Sequence, residues 1–405
     1  MKKLFSSTIF KLIIAVIIGI LLGFVANENF MNFVVTVKYI LGQLIFFMVP
    51  LIILGFVSYS IAKMKDNASK MLSLALIIAY LSSIGAAFFA MVSGYTLIPH
   101  LSIEPVKETL RQLPELIFRL DIPPVVSVMT ALVLAIMIGL ATVWTKSEVF
   151  ENLLDNFQKM VLLLINRILI PILPFFIAAN FCALSYEGAI TKQLPVFLGV
   201  MVIVIISQFV WLSFLYALAG AVSKKNPWQV LKYSGSNPME VVKHYGPAYL
   251  TAVGTMSSAA TLAVALKCAK KSPVLKDDVI DFAVPLFSNI HLCGSILTEV
   301  FFVMTVSLML YGSLPSLTVM ILFIILLGIF AIGAPGVPGG TVIASLGIVI
   351  SILGFDEAGT ALLLTIFALQ DSFGTACNIT GDGALTLIMT KASCRRSSKP
   401  KKINS

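Results

Sequence analysis

Charged residues are scarce in this sequence. They make up 12% of its 405 residues, whereas apolar residues make up 59% and the mean hydropathy is +1.00. Soluble domains carry about 25% charged residues. Because so few charges cannot cover a surface in water, the composition excludes a soluble protein and indicates that lipid surrounds most of the chain. We therefore expect a polytopic membrane protein.

The basic residues do not form a nucleic-acid-binding surface. Although the formal net charge is +9, the lysines and arginines gather in short segments beside apolar runs, at about 1–3, 63–70, 224–243 and 391–402. Cytoplasmic loops of membrane proteins carry this excess. The sequence predicts a multi-pass protein of the cell inner (plasma) membrane, with both termini cytoplasmic and no nucleic-acid partner. The basic segment 392–405 is either a plain cytoplasmic tail or a patch that binds anionic lipid.

Histidine and cysteine are also rare, with three and five residues. The cysteines lie in or beside apolar runs, and no two have metal-binding spacing, which favours reduced, apolar side chains. No metalloprotease, serine-hydrolase or nucleotide-binding motif appears. The sequence therefore predicts neither an enzyme nor a primary pump, and it predicts no organic cofactor.

Apolar runs long enough to cross a bilayer, about 20 residues, fill the first half of the chain. They lie at about 8–26, 39–62, 71–97, 124–145, 158–183 and 194–223. In the second half, the runs 245–272 and 317–353 are interrupted by polar residues or by Gly and Pro, which leaves arms too short to cross. Each broken run precedes a full-length run, 280–312 or 356–391. Paired broken segments indicate a transporter whose site lies between inverted repeats near the middle of the membrane.

The last run carries a polar stripe. At about 100° per residue, Asp371, Thr375, Asn378 and Asp382 fall within roughly 60° of one helical face. A carboxylate at the bilayer centre costs about 2.5–3.5 kcal/mol and normally faces a cavity or a partner. This oxygen-rich face suits a hard cation such as sodium and the ammonium group of a substrate. The alternative pairs the two aspartates with lysines of neighbouring helices, although no basic residue lies in the core of the nearby runs.

Four motifs resemble those of one transporter family. The stretch 371–382 looks like a last-helix signature, and 257–264, Ser-Ser-Ala-Ala-Thr-Leu-Ala-Val, resembles a serine-rich hairpin tip. The stretch 333–339, Gly-Ala-Pro-Gly-Val-Pro-Gly, resembles a second tip, and 47–52, Phe-Met-Val-Pro-Leu-Ile, resembles a second-helix motif. By this resemblance, which covers nearly the whole chain, the protein is identified as a divergent member of the dicarboxylate/amino acid:cation symporter family, which is glutamate-transporter-like.

The resemblance implies an all-α polytopic membrane protein with eight transmembrane helices and two re-entrant helical hairpins. It implies an inverted-repeat, elevator-type secondary transporter that assembles as a homotrimer in membrane lipid. Segments 1–64 and 124–183 would form the fixed scaffold. Segments 71–97 and 194–391, with hairpins at 245–272 and 317–353, would form the moving transport domain.

The resemblance also implies the site residues. The amino-acid substrate would contact two hairpin tips, the break of the penultimate helix and the last-helix stripe, namely Ser257, Ser258, Ser295, Val337, Gly339, Asp371, Thr375 and Asn378. Na⁺ would be held by the Asp382 carboxylate and by groups near the breaks, namely Asn378, Phe287, His291, Asn289, Ala331, Ile332 and Ala334.

The sequence departs from the family where the substrate side chain would bind. Members with acidic substrates pair the side-chain carboxylate with an arginine, but the two positions that supply it are Gly374 and Met256 here. Burying an unpaired carboxylate is costly. We therefore expect a small, neutral amino acid as substrate, and Gly374 is expected to leave room for a bulkier one.

The sequence also departs from the family at the ion sites. The break of the penultimate helix reads His-Leu-Cys-Gly-Ser at 291–295, where the family has Asn-Met-Asp-Gly-Thr, so sodium ligands are missing while Asp382 remains. We expect sodium symport through fewer ion sites. One alternative is a proton-coupled carrier of an amino acid or related organic acid that uses His291 or Glu299, and another is an uncoupled, channel-like conductance. Hydrogen-bonded packing of a neutral His291 and a protonated Glu299 also explains these two residues.

Overall fold

A computed structural model describes residues 8–62, 70–101, 111–126, 128–188, 190–222, 238–334 and 338–397. Within these ranges the chain is helical and contains no β-strand. The basic segments 1–3, 63–69, 224–237 and 398–405 and the tip residue Val337 lie outside them. The helices are α1 Thr8–Val25, α2 Glu28–Ala62, α3 Lys70–Leu97, α4 Val128–Thr145, α5 Glu148–Leu164, α6 Ile170–Tyr186, α7 Ile190–Ala221, α8 Met239–Val242, α9 Gly246–Thr255, α10 Ser258–Ala269, α11 Asp277–Ile290, α12 Cys293–Tyr311, α13 Leu317–Gly333, α14 Gly340–Leu353 and α15 Glu357–Ser397.

Among the described residues, six helical stretches are long and apolar enough to cross a membrane. They are Glu28–Tyr59, Ser73–His100, Glu148–Tyr186, Pro195–Ala221, Asp277–Tyr311 and Glu357–Lys391. Shorter apolar helices include Lys11–Val25 and Val133–Thr145. The expectation of an all-helical, multi-pass membrane protein is confirmed, and the number of eight transmembrane helices stays a prediction.

The helices pack in two groups. In the first, α1 packs along α6, and α2 packs against α4, α5 and α6. In the second, α12 packs along α15 and α3, and α15 also contacts α7, α9 and α11. In an apolar 18-residue window of Asp277–Tyr311 and of Glu357–Lys391, 94% and 89% of the residues are buried, against 33–56% in the windows of the other spans. The polar side chains of α12 and α15 therefore lie inside the protein, where lipid does not reach them.

Each broken run forms a helical hairpin. In the first, α9 and α10 are joined by Met256, which has a left-handed φ of 52°, and by Ser257. The Ser257 hydroxyl caps α10 by accepting a hydrogen bond from the N–H of Ala260 at 3.2 Å. In the second hairpin, α13 and α14 pack on each other, and Gly339 precedes α14 with a φ of 71°. Glycine adopts this left-handed conformation without the steric cost that a side chain would add.

Two helices extend beyond the apolar runs in the sequence. α5 begins at Glu148, about ten residues before the run at 158–183, because its first turns are amphipathic and Ser147 caps them by accepting from Phe150 N–H at 3.3 Å. A π-helical turn, Ile165–Leu169, connects α5 to α6. The last helix, α15, continues to Ser397 and so enters the segment that was expected to be a basic tail.

Candidate functional site

The polar stripe of α15 faces the break between α11 and α12. α11 ends at Ile290 and α12 begins at Cys293, so His291 and Leu292 lie between the two helices. The first N–H groups of a helix have no acceptor within the helix itself. Polar groups of α15 supply partners at this break, and the contacts of Asp371, Asn378 and Asp382 are described in turn below.

Asn378 caps α12 from the neighbouring helix. Its Oδ1 accepts hydrogen bonds from the N–H groups of Gly294 at 2.7 Å and Ser295 at 3.2 Å. Its Nδ2 donates to the hydroxyl of Ser295 at 2.9 Å. Leu292, the residue before α12, offers no capping side chain. The buried amide of Asn378 therefore satisfies N–H groups that would otherwise lack a partner.

Asp371 connects the stripe to both the break and the second hairpin. Its Oδ2 accepts a hydrogen bond from the N–H of Gly339 at 2.6 Å, and its carboxylate also accepts from the Ser295 side chain. Asp371 is 3% exposed. The carboxylate is therefore held by neutral donors from α12 and from the start of α14, an arrangement to which a cationic ligand group can add charge compensation.

Asp382 forms the third contact of the stripe, and its partner is His291. Nδ1 of His291 lies 2.9 Å from Oδ1 of Asp382, while the hydroxyl of Ser288 donates to Oδ2 at 3.3 Å. Nε2 of His291 lies 2.9 Å from the hydroxyl of Ser82 on α3. When Asp382 is ionised, Nδ1 carries the proton that it donates, and Nε2 accepts from Ser82 in the neutral ring or donates to it in the charged ring. The imidazole is thus held between α3 and α15.

Two glycines allow α12 and α15 to approach closely at the break. A Cβ at Gly294 would lie 2.4 Å from Cβ of Cys377 and 2.5 Å from the carbonyl oxygen of Gly374. A Cβ at Gly374 would lie 3.2 Å from Cα and Oγ of Ser295. The expectation that Gly374 leaves room for a bulkier substrate is therefore wrong in this conformation, because the first turn of α12 fills the space.

Buried acidic groups outnumber buried basic groups around the stripe. Asp371, Asp382 and Glu299 are buried, while no lysine or arginine side chain in the described ranges is buried. Glu299 accepts a short hydrogen bond from the Ser345 hydroxyl through Oε1, and its Oε2 has no hydrogen-bond partner among the described residues. The alternative that lysines neutralise the two aspartates finds no support in these contacts. The region suits cationic ligand groups better than anionic ones.

The first hairpin tip lies near the stripe. Met256 belongs to a buried cluster with Ala368, which lies about one helical turn before Asp371. Of the other residues expected at the substrate, Ser258 and Thr375 are buried, at 3% and 4% exposure. Val337, which was expected to close the pocket, lies outside the described residues.

The structure brings together only part of the expected ion site. The Phe287 carbonyl accepts from the N–H of His291 at 2.9 Å, close to Asp382. The side chain of Asn289 is exposed and donates to the carbonyl of Pro285 at 2.8 Å, so it points away from that carboxylate. The remaining expected ligands lie at the end of α13, where no described contact joins them to Asp382, namely Ala331, Ile332 and Ala334. In the described ranges no three His, Cys, Asp or Glu side chains cluster closely enough to hold a metal ion.

Ser82 and Ser288 contribute to the site and were not predicted from the sequence. Each bonds a member of the His291–Asp382 pair. The adjacent Ser83 accepts from the N–H of Leu292 at 3.4 Å. The signal that was available is a pair of neighbouring serines within the otherwise apolar run 71–97, because hydroxyl groups inside a membrane span normally have a polar partner.

Comparison with known proteins finds sequence similarity to excitatory amino acid transporters. The chain is 28% identical over 271 residues to bovine (Bos taurus) excitatory amino acid transporter 3, an alignment that covers 65% of this chain and 47% of the relative. It is 26% identical over 240 residues to human (Homo sapiens) excitatory amino acid transporter 1, covering 58% and 40%. It is 28% identical over 155 residues to the putative sodium-dependent excitatory amino acid transporter glt-4 of Caenorhabditis elegans, covering 38% and 31%.

These alignments span less than half the length of each relative. The sequence model of the sodium:dicarboxylate symporter family, in contrast, matches residues 8–392, nearly the whole chain. This family consists of transporters, so the expectation of a transporter rather than an enzyme is confirmed. The protein belongs to the sodium:dicarboxylate symporter family.

Proposed function

We propose that this protein is a secondary active symporter that couples uptake of a small, neutral amino acid to a cation gradient, with sodium as the coupling ion. The observation that carries this proposal is the environment of Asp371. Its buried carboxylate has N–H and O–H donors, and no basic side chain of the described residues is buried beside it. An ammonium group can pair with it, whereas a second carboxylate on the substrate would be buried without a cation, which is costly.

The substrate would replace protein contacts that now hold Asp371. Its ammonium group would take the place of the Gly339 N–H or the Ser295 hydroxyl at the carboxylate. Its carboxylate would lie near Ser257 and Ser258 at the start of α10, because the N–H groups of a helix N-terminus suit an anion. Thr375 and Asn378 would line the same face of α15. Binding would thereby couple the stripe to both hairpins.

The ion would bind at Asp382 and be carried with the substrate. The oxygens available there are the Asp382 carboxylate and the nearby carbonyl of Phe287, and oxygen ligands suit sodium. The contact between His291 and Asp382 occupies part of that coordination. This contact supports fewer coupled sodium ions than a fuller ligand set would bind. It also supports a second candidate function, a proton-coupled carrier that uses His291 or Glu299.

We further infer that the chain works as a homotrimer in the plasma membrane, with cytoplasmic termini. The helices in 1–64 and 124–183 would stay fixed while α3 and the elements from α7 to α15 move as an elevator. The separate packing of α2 with α4–α6 and of α12 with α15 supports this division. An uncoupled, channel-like conductance would differ because its flux would not saturate at low substrate concentration.

A thermal-shift screen of the purified protein tests the function. Each neutral amino acid, and aspartate and glutamate, is added in sodium or in potassium buffer at several pH values. We expect stabilisation by one or a few small neutral amino acids in sodium alone. Stabilisation by aspartate or glutamate would contradict the substrate class. Stabilisation that ignores sodium and follows pH would favour the proton-coupled candidate, and saturable, sodium-driven uptake into proteoliposomes would exclude a channel.

A further inference from the structure

A cavity of about 220 Å³ lies between α2, α6 and α15, away from the polar stripe. Its size is below the roughly 300–1,000 Å³ of sites for drug-sized ligands, so it suits a small molecule. Its walls combine two charged residues, two uncharged polar residues and an apolar side. The residues that the argument uses are Lys38, Gln43, Leu116, Phe176, Glu357 and Ala361.

The two charges of the cavity lie on different helices and do not pair with each other. Lys38 is on α2 and half-buried, and no described carboxylate lies within 4.0 Å of its ammonium group. The side-chain carboxylate of Glu357, the first residue of α15, accepts one long hydrogen bond from a described residue, at 3.4 Å from the side chain of Gln43. Glu187, at the end of α6, is a second carboxylate in the electrostatic surroundings of Lys38. A half-buried ammonium group without a close carboxylate among the described residues favours an anionic ligand group at this place.

The lining of the cavity therefore matches the groups of an amino acid. Lys38 offers a cation to a carboxylate, and Glu357 offers an anion to an ammonium group. Phe176, Leu116 and Ala361 provide an apolar wall for a side chain without charge. A simple anion would use only the lysine and a simple amine only the glutamate, whereas a zwitterion uses both.

We propose that this cavity is a second, weaker binding site for a small zwitterionic amino acid. Its substrate class rests on the proposed function. The site is separate from the stripe because Glu357 and Asp371 are fourteen residues apart on one helix, which is about 21 Å at 1.5 Å per residue. The ligand would bridge α2 of the first helix group and α15 of the second. It would thereby favour the arrangement in which the two groups lie against each other.

Equilibrium binding of radiolabelled L-alanine to the full-length purified protein tests the site. The measurement is made in the Asp371→Asn background, which removes the stripe site. We expect one remaining site per chain, weakened at least about tenfold by Lys38→Met or by Glu357→Gln, because each removes a charged hydrogen bond. Lys38→Arg should retain binding. Glu28→Gln is the matched control, because Glu28 is an exposed carboxylate at the first residue of α2.

Competition on the Asp371→Asn protein provides a test that needs no substitution in the cavity. Acetate and ethylamine each carry one of the two charges of alanine, and we expect both to compete at least about tenfold more weakly than alanine. Equal competition by acetate would show an anion site and overturn the proposal. Loss of all alanine binding in Asp371→Asn, or residual binding that the two cavity variants leave unchanged, would overturn it as well.

The failure of this proposal is distinguishable from the failure of the proposed function. Sodium-driven alanine uptake by the unsubstituted protein, without binding in the Asp371→Asn protein, overturns the second site and leaves the symporter intact. Binding in the Asp371→Asn protein without any uptake by the unsubstituted protein supports the cavity and contradicts the symporter. Absence of binding in every protein contradicts both.

Discussion

Nδ1 of His291 lies 2.9 Å from Oδ1 of Asp382, and both side chains are fully buried. The hydroxyl of Ser82 holds the opposite ring nitrogen, so the pair ties α15 to α3 across the break of α11 and α12. In the family to which this chain belongs, the resemblance places a sodium ligand at this aspartate. Here the imidazole of His291 contacts that carboxylate, so the pair has a structural role in joining the helices.

Removal of the imidazole should therefore destabilise the protein. We expect His291→Ala to lower the free energy of unfolding by about 3–5 kcal/mol, because it leaves a buried carboxyl group with only Ser288 as partner. Thermal unfolding of the purified protein measures this. His100→Ala is the control, since His100 is exposed. Equal melting temperatures for the two variants would contradict the role of the pair.

The close contact of α12 and α15 predicts a graded series of glycine substitutions. Gly294→Ala should prevent folding or lower stability most, because the added Cβ would meet atoms at 2.4–2.5 Å. Gly374→Ala should cost about 1–3 kcal/mol, since its neighbours lie at 3.2–3.3 Å and can shift slightly. Gly199→Ala in α7, where no atom lies within 4 Å, should stabilise by up to about 1 kcal/mol. Expression level and melting temperature give the order, and any other order argues against this packing.

Substrate binding should depend on the buried Asp371 and not on the exposed Asp356, which lies fifteen residues earlier in the chain. Asp371→Asn should weaken neutral amino-acid binding at the stripe at least about 30-fold, because it removes the charge from a buried pair. Asp356 accepts hydrogen bonds from Tyr311 and Gly359 at the start of α15. Asp356→Asn should lower stability by about 1 kcal/mol or less and leave affinity unchanged. If both variants lose affinity equally, the proposed role of Asp371 is wrong.

At the tip of the first hairpin, the packing of the Met256 side chain stabilises the protein more than its left-handed backbone conformation destabilises it. Met256 has a φ of 52° and is 1% exposed. Met256→Gly relieves about 1–2 kcal/mol of steric cost but loses about 2–5 kcal/mol of packing, so we expect net destabilisation. Lys146 has a φ of 50° and is exposed, so Lys146→Gly should stabilise by up to about 1 kcal/mol. Opposite signs in the two melting temperatures confirm the argument, and equal signs contradict it.

The membrane class, the broken runs and the polar stripe follow from the sequence because they depend on local features. The scarcity of charged residues indicates contact with lipid. The length of each apolar run indicates whether it forms a membrane span or one arm of a broken run. The 3.6-residue period places Asp371, Asn378 and Asp382 on one face of the last helix. None of these conclusions requires knowledge of which helices touch.

The partners of these groups depend on contacts between distant segments. Ser82 is 209 residues from His291 in the chain, and no periodicity indicates that they meet. The sequence likewise suggested free space at Gly374, whereas α12 fills it, because a missing side chain lets a neighbouring backbone approach. The cavity at Lys38 and Glu357 also arises from helix packing alone. The order of residues determines local features, such as the length of an apolar run and the residues that share one helix face. Which buried groups pair with each other, and how much space remains between them, depends on how the helices pack.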